Sequence, residues 1–362
     1  MLFRSALGVA GFKDWTIDGV HLCTTRLSLL QVNTARALDP ELLADVDLLR
    51  QRSSSELRAL GRIPYPMLRM RGEKGFKRIS WERALQVAGT QIKAAGPKRI
   101  SFFLTARGIM NETYYAIQKV VRFLGTNDID NAARICHAPS TGALKHGIGH
   151  GATTVSYRDV IESDLIILFG SNVANAQPVF MKYLHLAKKR GAKILVVNPY
   201  REPGLENYWV PSNADSLLFG TKIADAWVQV AQGGDIAFIS AVLLRLEEMG
   251  ALDRSFIENK SVGWSELRAA LATRSIDDYL AMSGASRSEL EQFCTLYAGA
   301  TAAVLVWSMG ITQQACGSEN VAAIVNLGLA RGNIGRPGAG LMPIRGHSGV
   351  QGGAEMGAYA TA

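Results

Sequence analysis

Three short, uninterrupted apolar runs constrain this chain more than any other feature: Asp164-Leu-Ile-Ile-Leu-Phe169, Lys193-Ile-Leu-Val-Val197 and Thr301-Ala-Ala-Val-Leu-Val-Trp307. A strand that is apolar at every position has both faces covered, as happens in a parallel sheet packed between helices. Segments of helical pattern alternate with the runs, at Pro178 to Arg190, Asp235 to Met249, Ser286 to Ala298 and Ser318 to Ala330. This alternation predicts an α/β fold of parallel sheets with helices on both faces. Each run stops at small polar residues: Gly170-Ser171-Asn172, Asn198-Pro199 and Ser308-Met309-Gly310. Ligands of open parallel sheets sit outside the carboxyl ends of the strands. The same residue types also make ordinary turns. What favours ligand contacts is that three such ends would fall on one edge.

Upstream the pattern is weaker. Residues 1–80 predict a helix from Pro40 to Arg50, another from Ser53 to Leu60, and a turn-rich passage Gly61-Arg-Ile-Pro-Tyr-Pro66. They read as a wrapping segment whose partner domain lies partly outside the chain. Ser80-Trp-Glu-Arg83 supplies a serine cap with an acid in the first turn, and Leu85, Val87, Ala88 and Ile92 follow at helical spacing. Lys98 to Thr105 then predicts a buried strand and Thr113 to Leu124 a helix. Both ends of the chain look cut, so it reads as a fragment of a longer protein.

Composition excludes several classes of function. At 362 residues, 48% apolar and 19% charged, the chain is globular and long enough for two domains. Its net charge of +8 comes without the interleaved aromatics of a nucleic-acid groove, so it is read as a solvated surface or an attractor of anions. No apolar run is long enough to span a membrane. Four scattered cysteines with no CxxC pair fit a reducing compartment, and a cytoplasmic location is expected. Gly147-Ile-Gly149-His-Gly151 lacks the spacing of a dinucleotide fingerprint, and neither a phosphate loop nor HExxH is present. The six histidines are too dispersed for a zinc site.

The segment Ala133-Arg-Ile-Cys-His-Ala-Pro-Ser140 is where chemistry concentrates. Pro139 suits the first turn of a helix, which puts Cys136 just before a helix start, where unpaired N–H groups favour a thiolate. A thiolate is both a nucleophile and a soft metal ligand, whereas an ordinary cysteine is a small buried apolar residue. A thiol enzyme with Cys136 as nucleophile and His137 as its base is one competing reading. Chain neighbours tend to point apart, so such pairs usually come from distant segments.

From about Trp81 onward the chain resembles the catalytic subunit of molybdopterin oxidoreductases, in its formate-dehydrogenase-like branch. Thr105-Ala-Arg-Gly-Ile-Met-Asn-Glu112 with Gln118-Lys119 resembles the stretch ahead of the metal ligand, and Cys136-His-Ala-Pro-Ser140 the (Sec/Cys)-His-x-Pro-Ser motif. Phe169-Gly-Ser-Asn172 with Asn175, Val196-Val-Asn-Pro199 and Gln232-Gly-Gly-Asp235 resemble strand ends and loops that line the pterin dinucleotide. Met309-Gly-Ile-Thr-Gln313, Asn333 to Gly338 and Ile344 to Gly352 resemble the MGxTQ, GNxGxPG and RGxxxVQG motifs.

The resemblance implies a Mo-bis(molybdopterin guanine dinucleotide) cofactor with Cys136 as the protein ligand to molybdenum. It implies His137 as the group that takes or relays a proton, and Arg345 as the holder of a small, formate-like anionic substrate. Arg107, Gly170, Asn172, Asn175, Asn198, Gly233, Asp235, Met309, Gly310 and Gln313 would contact the cofactor. Residues 81–160 and 320–362 would form the α/β domain carrying the metal ligand and the substrate arginine. Residues 161–319 would form a Rossmann-like domain for the dinucleotide. A 4Fe–4S cluster is expected only in an N-terminal part outside this chain, because Cys23 alone cannot hold one. An electron-acceptor protein is the expected partner, with no nucleic acid. A non-catalytic cofactor-binding or electron-transfer subunit is the second competing reading. Asn198 stands where the family usually has Asp.

Overall fold

The three apolar runs form the centre of a five-stranded parallel sheet. Its strands are β1 (Leu165–Phe169), β2 (Lys193–Val197), β3 (Ala226–Val228), β4 (Ala303–Trp307) and β5 (Gly340–Pro343), in spatial order β3-β2-β1-β4-β5. Every neighbouring pair is parallel, and Val228, Val197, Phe169, Trp307 and Pro343 share one register row. All five strands therefore stop together. The order reverses between β1 and β4, the switch point at which such sheets open a crevice for ligands.

Strand alternation divides the core. Leu165, Ile167, Phe169, Leu195, Val197, Leu305 and Trp307 belong to one buried cluster. That cluster takes in α1 (Ala138–Ile148), α3 (Asp235–Glu248), α4 (Arg287–Gly299) and α5 (Gly317–Ala330). Ile166, Leu168, Ile194, Val196, Val304 and Val306 belong to the other, with α2 (Phe180–Lys189). Burial on both sides is why these strands read as continuous apolar runs. Helix starts are fixed locally: Ser286 caps α4 in a reciprocal box with Glu289.

The computed structural model describes residues 13–14, 17–20, 23–347 and 349–360, which fall into two compact units. One comprises the sheet and its helices, within Met1–Cys23, Thr105–Met110 and Asn131–Glu355. The other, Thr24–Leu104, Asn111–Asp130 and Met356–Ala362, holds the helices Trp81–Ala95 and Asn111–Phe123. Ser80 caps the first of these by accepting the Arg83 N–H. Two expectations need correcting in this unit. The helix expected over 40–50 is a 3₁₀ turn, Pro40–Leu43, followed by a separate helix, Val46–Arg50, because extended Asp45 restarts the chain by accepting the Asp47 N–H. The strand expected over 98–105 shrinks to Phe102–Leu104, since Pro97 opens a 3₁₀ turn through Arg99.

At the switch point two glycines meet. Gly170 has φ +53°, and a Cβ on Gly310 would lie 2.5 Å from the Gly170 carbonyl oxygen. Gly310→Ala is expected to cost about 1–3 kcal/mol through overpacking. Gly89→Ala, in the helix Trp81–Ala95 where a Cβ meets nothing within 4 Å, should be neutral or stabilising. Urea unfolding compares them. An unchanged midpoint for Gly310→Ala would show that the two loops separate freely.

Candidate functional site

A 3₁₀ turn, Ala132–Ile135, is started by Asn131, whose side chain accepts the Ala133 N–H at 2.8 Å, and it delivers Cys136 at its end. His137 then caps α1, with Pro139 in the first turn as the sequence requires. The loop after β4 pins this segment. Gln313 donates to the Ile135 carbonyl at 2.9 Å, and the Thr312 hydroxyl donates to that of Cys136.

His137 is locked at both nitrogens. Nε2 lies 3.1 Å from the Ile344 carbonyl, Nδ1 lies 2.9 Å from the Ser140 hydroxyl, and the Trp307 indole N–H reaches the same hydroxyl at 2.9 Å. The ring is 1% exposed. Burial, helped by the Arg345 charge, pushes its pKa down to about 4, against the opposing pull of the Ile344 carbonyl. At neutral pH the ring is therefore neutral. A carbonyl only accepts and an indole N–H only donates. The proton thus sits on Nε2, and Ser140 donates into Nδ1 while accepting from Trp307.

Cys136 is buried, and burial raises its thiol pKa. The Arg345 guanidinium and the Gly346 N–H act in the opposite direction on the same sulfur. Desolvation thus outweighs the helix start, contrary to the thiolate expected from the sequence. A neutral buried thiol beside a histidine with both nitrogens engaged is a poor nucleophile–base pair, which weighs against the thiol-enzyme reading. A bound soft cation would reverse the balance, because a coordinated thiol gives up its proton. Arg345 itself donates to Thr141 at 3.3 Å. With His347 it lines a cavity of about 1040 Å³ that also presents Arg158, Glu162, Lys189 and Arg190, Arg158 being paired with Glu162 and Lys189 with Asp215.

The remaining candidates distribute unevenly. Gly170, Asn172, Asn175, Asn198, Met309 and Gly310 follow the aligned ends of β1, β2 and β4. Asn172 caps the turn Val173–Ala176 by accepting from Asn175 N–H. Asn198 is buried, with its amide bound twice to Ser171 backbone, at 3.0 and 3.3 Å. Asp235 opens α3, buried with a raised pKa and one bond from Gln314 at 3.3 Å, whereas Gly233 is exposed in the preceding turn. Arg107 is exposed, and its charge reaches His347. Ser171 Oγ and Gln177 Oε1 are buried without a hydrogen-bond partner among the described residues. Unmet polar atoms beside a glycine-lined sheet edge fit a polar, many-donor cofactor.

The family model for molybdopterin oxidoreductase matches residues 62–361. The chain belongs to the molybdopterin oxidoreductase family. It is 34% identical over 310 residues to protein YdeP of Escherichia coli (strain K12), covering 82% of this chain and 41% of that one. It is 32% identical over 302 residues to formate dehydrogenase H of the same organism, covering 82% of this chain and 40% of that one. The chain thus spans about 40% of the length of these curated relatives. Acetylene hydratase from Pelobacter acetylenicus shares the fold, with a TM-score of 0.62 at 23% identity over 78% of this chain and 37% of that one.

Sequence reading missed Ser140, Gln177, Trp307, Ser308 and Thr312 as site residues. Two were in plain view: Ser140 falls three residues after His137, and Thr312 lies inside the MGxTQ-like motif. In sequence, Trp307 is only the end of an apolar run. Because the folded pKa of His137 lies below the unfolded value, the unfolded chain binds the extra proton first. Stability is complete above about pH 6.5 and falls as pH drops toward 4, by about 3 kcal/mol in total. Unfolding of the cofactor-free protein between pH 7 and 4 should show this slope, and His137→Gln should flatten it.

Proposed function

We propose that the chain is the central part of a molybdenum-dependent oxidoreductase, formate dehydrogenase-like, acting on a small anion at a Mo-bis(molybdopterin guanine dinucleotide) centre. One observation carries the reading: His137, next to Cys136, bonds the Ile344 carbonyl at 3.1 Å, 207 positions away, which ties the Cys136 segment to the residue before Arg345. When bound, molybdenum and its pterins would supply the two-electron redox chemistry. Cys136 would hold the metal as a thiolate, and Thr312 and Gln313 would fix its backbone so that the sulfur keeps one direction. Arg345 would grip the substrate by its planar fork, for which a lysine is a poor replacement. Arg345 and Arg190 leave the cavity wall with an excess of positive charge that would draw an anion inward, Arg158 and Lys189 being offset by Glu162 and Asp215.

His137 would hold or pass a proton at Nδ1, once the Ser140 hydroxyl turns away from that nitrogen. Arg107, Gly170, Asn172, Asn175, Gly233, Asp235, Met309, Gly310 and Gln313 would meet the pterins or their nucleotides, with Asn198 acting through the Ser171 loop. Segments 81–160 and 320–362 would carry the ligand and the arginine, and 161–319 the dinucleotide. An acceptor protein and a 4Fe–4S cluster would belong to the rest of the intact protein. A cytoplasmic location is proposed from the four scattered cysteines, which suit a reducing compartment.

The test is made on the intact protein. Cys136→Ser should keep molybdenum bound, because the pterin sulfurs also hold it, while formate-dependent reduction of an artificial acceptor falls by orders of magnitude. X-ray absorption at the metal should lose one sulfur neighbour. Wild-type turnover at equal molybdenum would return Cys136 to an inert buried thiol. Arg345→Lys should raise KM at unchanged metal content, by roughly 10–100-fold for a lost charged hydrogen bond of about 1.5–3 kcal/mol. Unchanged kcat/KM across several oxyanions would make Arg345 structural only.

A further inference from the structure

We infer that Glu202 is the residue that reads the nucleoside of the bound dinucleotide, taking its hydroxyl or amino hydrogens on a carboxylate oxygen. The inference rests on the dinucleotide reading above. In Rossmann dinucleotide-binding sheets, whose order begins 3-2-1-4-5, the glycine turn after the first strand receives the phosphates, and a carboxylate further along takes the ribose hydroxyls. This sheet has that order, with Gly170 in the first position. The obvious residue for the second, Asn198, is engaged elsewhere. It is 4% exposed, and both ends of its amide are tied to the Ser171 backbone.

Glu202 follows four positions later, preceding the short helix Pro203–Glu206. Its Oε2 accepts the Asn172 side-chain N–H at 2.7 Å, which brings the carboxylate to the loop that Gly170 opens. The group is half-buried, and burial raises its pKa. Desolvation is the one influence on that pKa, with no cation acting among the described residues, and the neighbouring Arg201 lies over the Trp227 ring and acts on Glu289 instead. One neutral donor serves only part of a carboxylate's accepting capacity, about four lone-pair sites. A half-buried carboxylate without a cation is best completed by neutral donors. A ribose diol provides them, and so do N1–H and the 2-amino group of guanine. The position past β2 favours the ribose.

The intact protein, stripped of cofactor, is titrated calorimetrically with GDP, 2′-deoxy-GDP and inosine diphosphate, as wild type and as Glu202→Gln. Wild type is expected to bind GDP about tenfold more tightly than 2′-deoxy-GDP, and Glu202→Gln to lose that preference. A preference against inosine diphosphate instead, lost in the variant, also upholds Glu202 as the nucleoside reader and moves its contact to the base. Tight GDP binding with the same ranking and affinities in both proteins overturns the inference and leaves the dinucleotide reading intact. No GDP binding by wild type overturns both. The deoxy and inosine comparisons on wild type need no variant to fold.

Discussion

The carbonyl of Ile344 is the contact on which the site's geometry hangs. It accepts from His137 at 3.1 Å and from the Ser308 hydroxyl at 3.2 Å, while the Ile344 N–H donates to the Trp307 carbonyl at 2.9 Å. His137 comes from the segment that delivers Cys136, Ser308 from the end of β4, and Ile344 immediately precedes Arg345. One peptide unit thus joins the Cys136 segment, the sheet edge and Arg345. Buried carbonyls are costly to leave unsatisfied, so the three parts cannot drift independently.

The register of the sheet makes that junction possible. Because β1, β2, β3, β4 and β5 end in one row, the residues after them project from a single edge. The contact of Gly170 with Gly310 keeps the crevice narrow where the strand order reverses. A polar cofactor lying there would meet backbone groups and small side chains. Beside it stand the basic side chains that line the cavity at Arg345.

Burial has opposite uses at neighbouring residues. It keeps the His137 ring neutral, and it keeps the Cys136 thiol protonated against the pull of Arg345. Both groups stay uncharged until something charged arrives. A cation at the sulfur would shift the whole site, because Arg345, His137 and Cys136 share one low-dielectric neighbourhood.

Much of this was legible in the sequence, where three short apolar runs alternating with helical segments pattern as strands covered on both sides. Polar residues following them had to mark an edge. The start of α1 was legible too, since Pro139 and the adjacent Cys136 and His137 are local signals. β3 and β5 were not, because Ala226–Val228 is three residues long and Gly340–Pro343 holds a glycine and a proline. Only the folded structure decided the state of the reactive groups. A thiol's pKa and a histidine's tautomer depend on burial and on partners such as Ile344, more than 200 positions away. The sequence determined the sheet and the chemical types it presents, because strand burial is written in local pattern. The tertiary structure decided which of those groups are neutral, paired or free, because desolvation and hydrogen bonding are properties of what surrounds a residue in space.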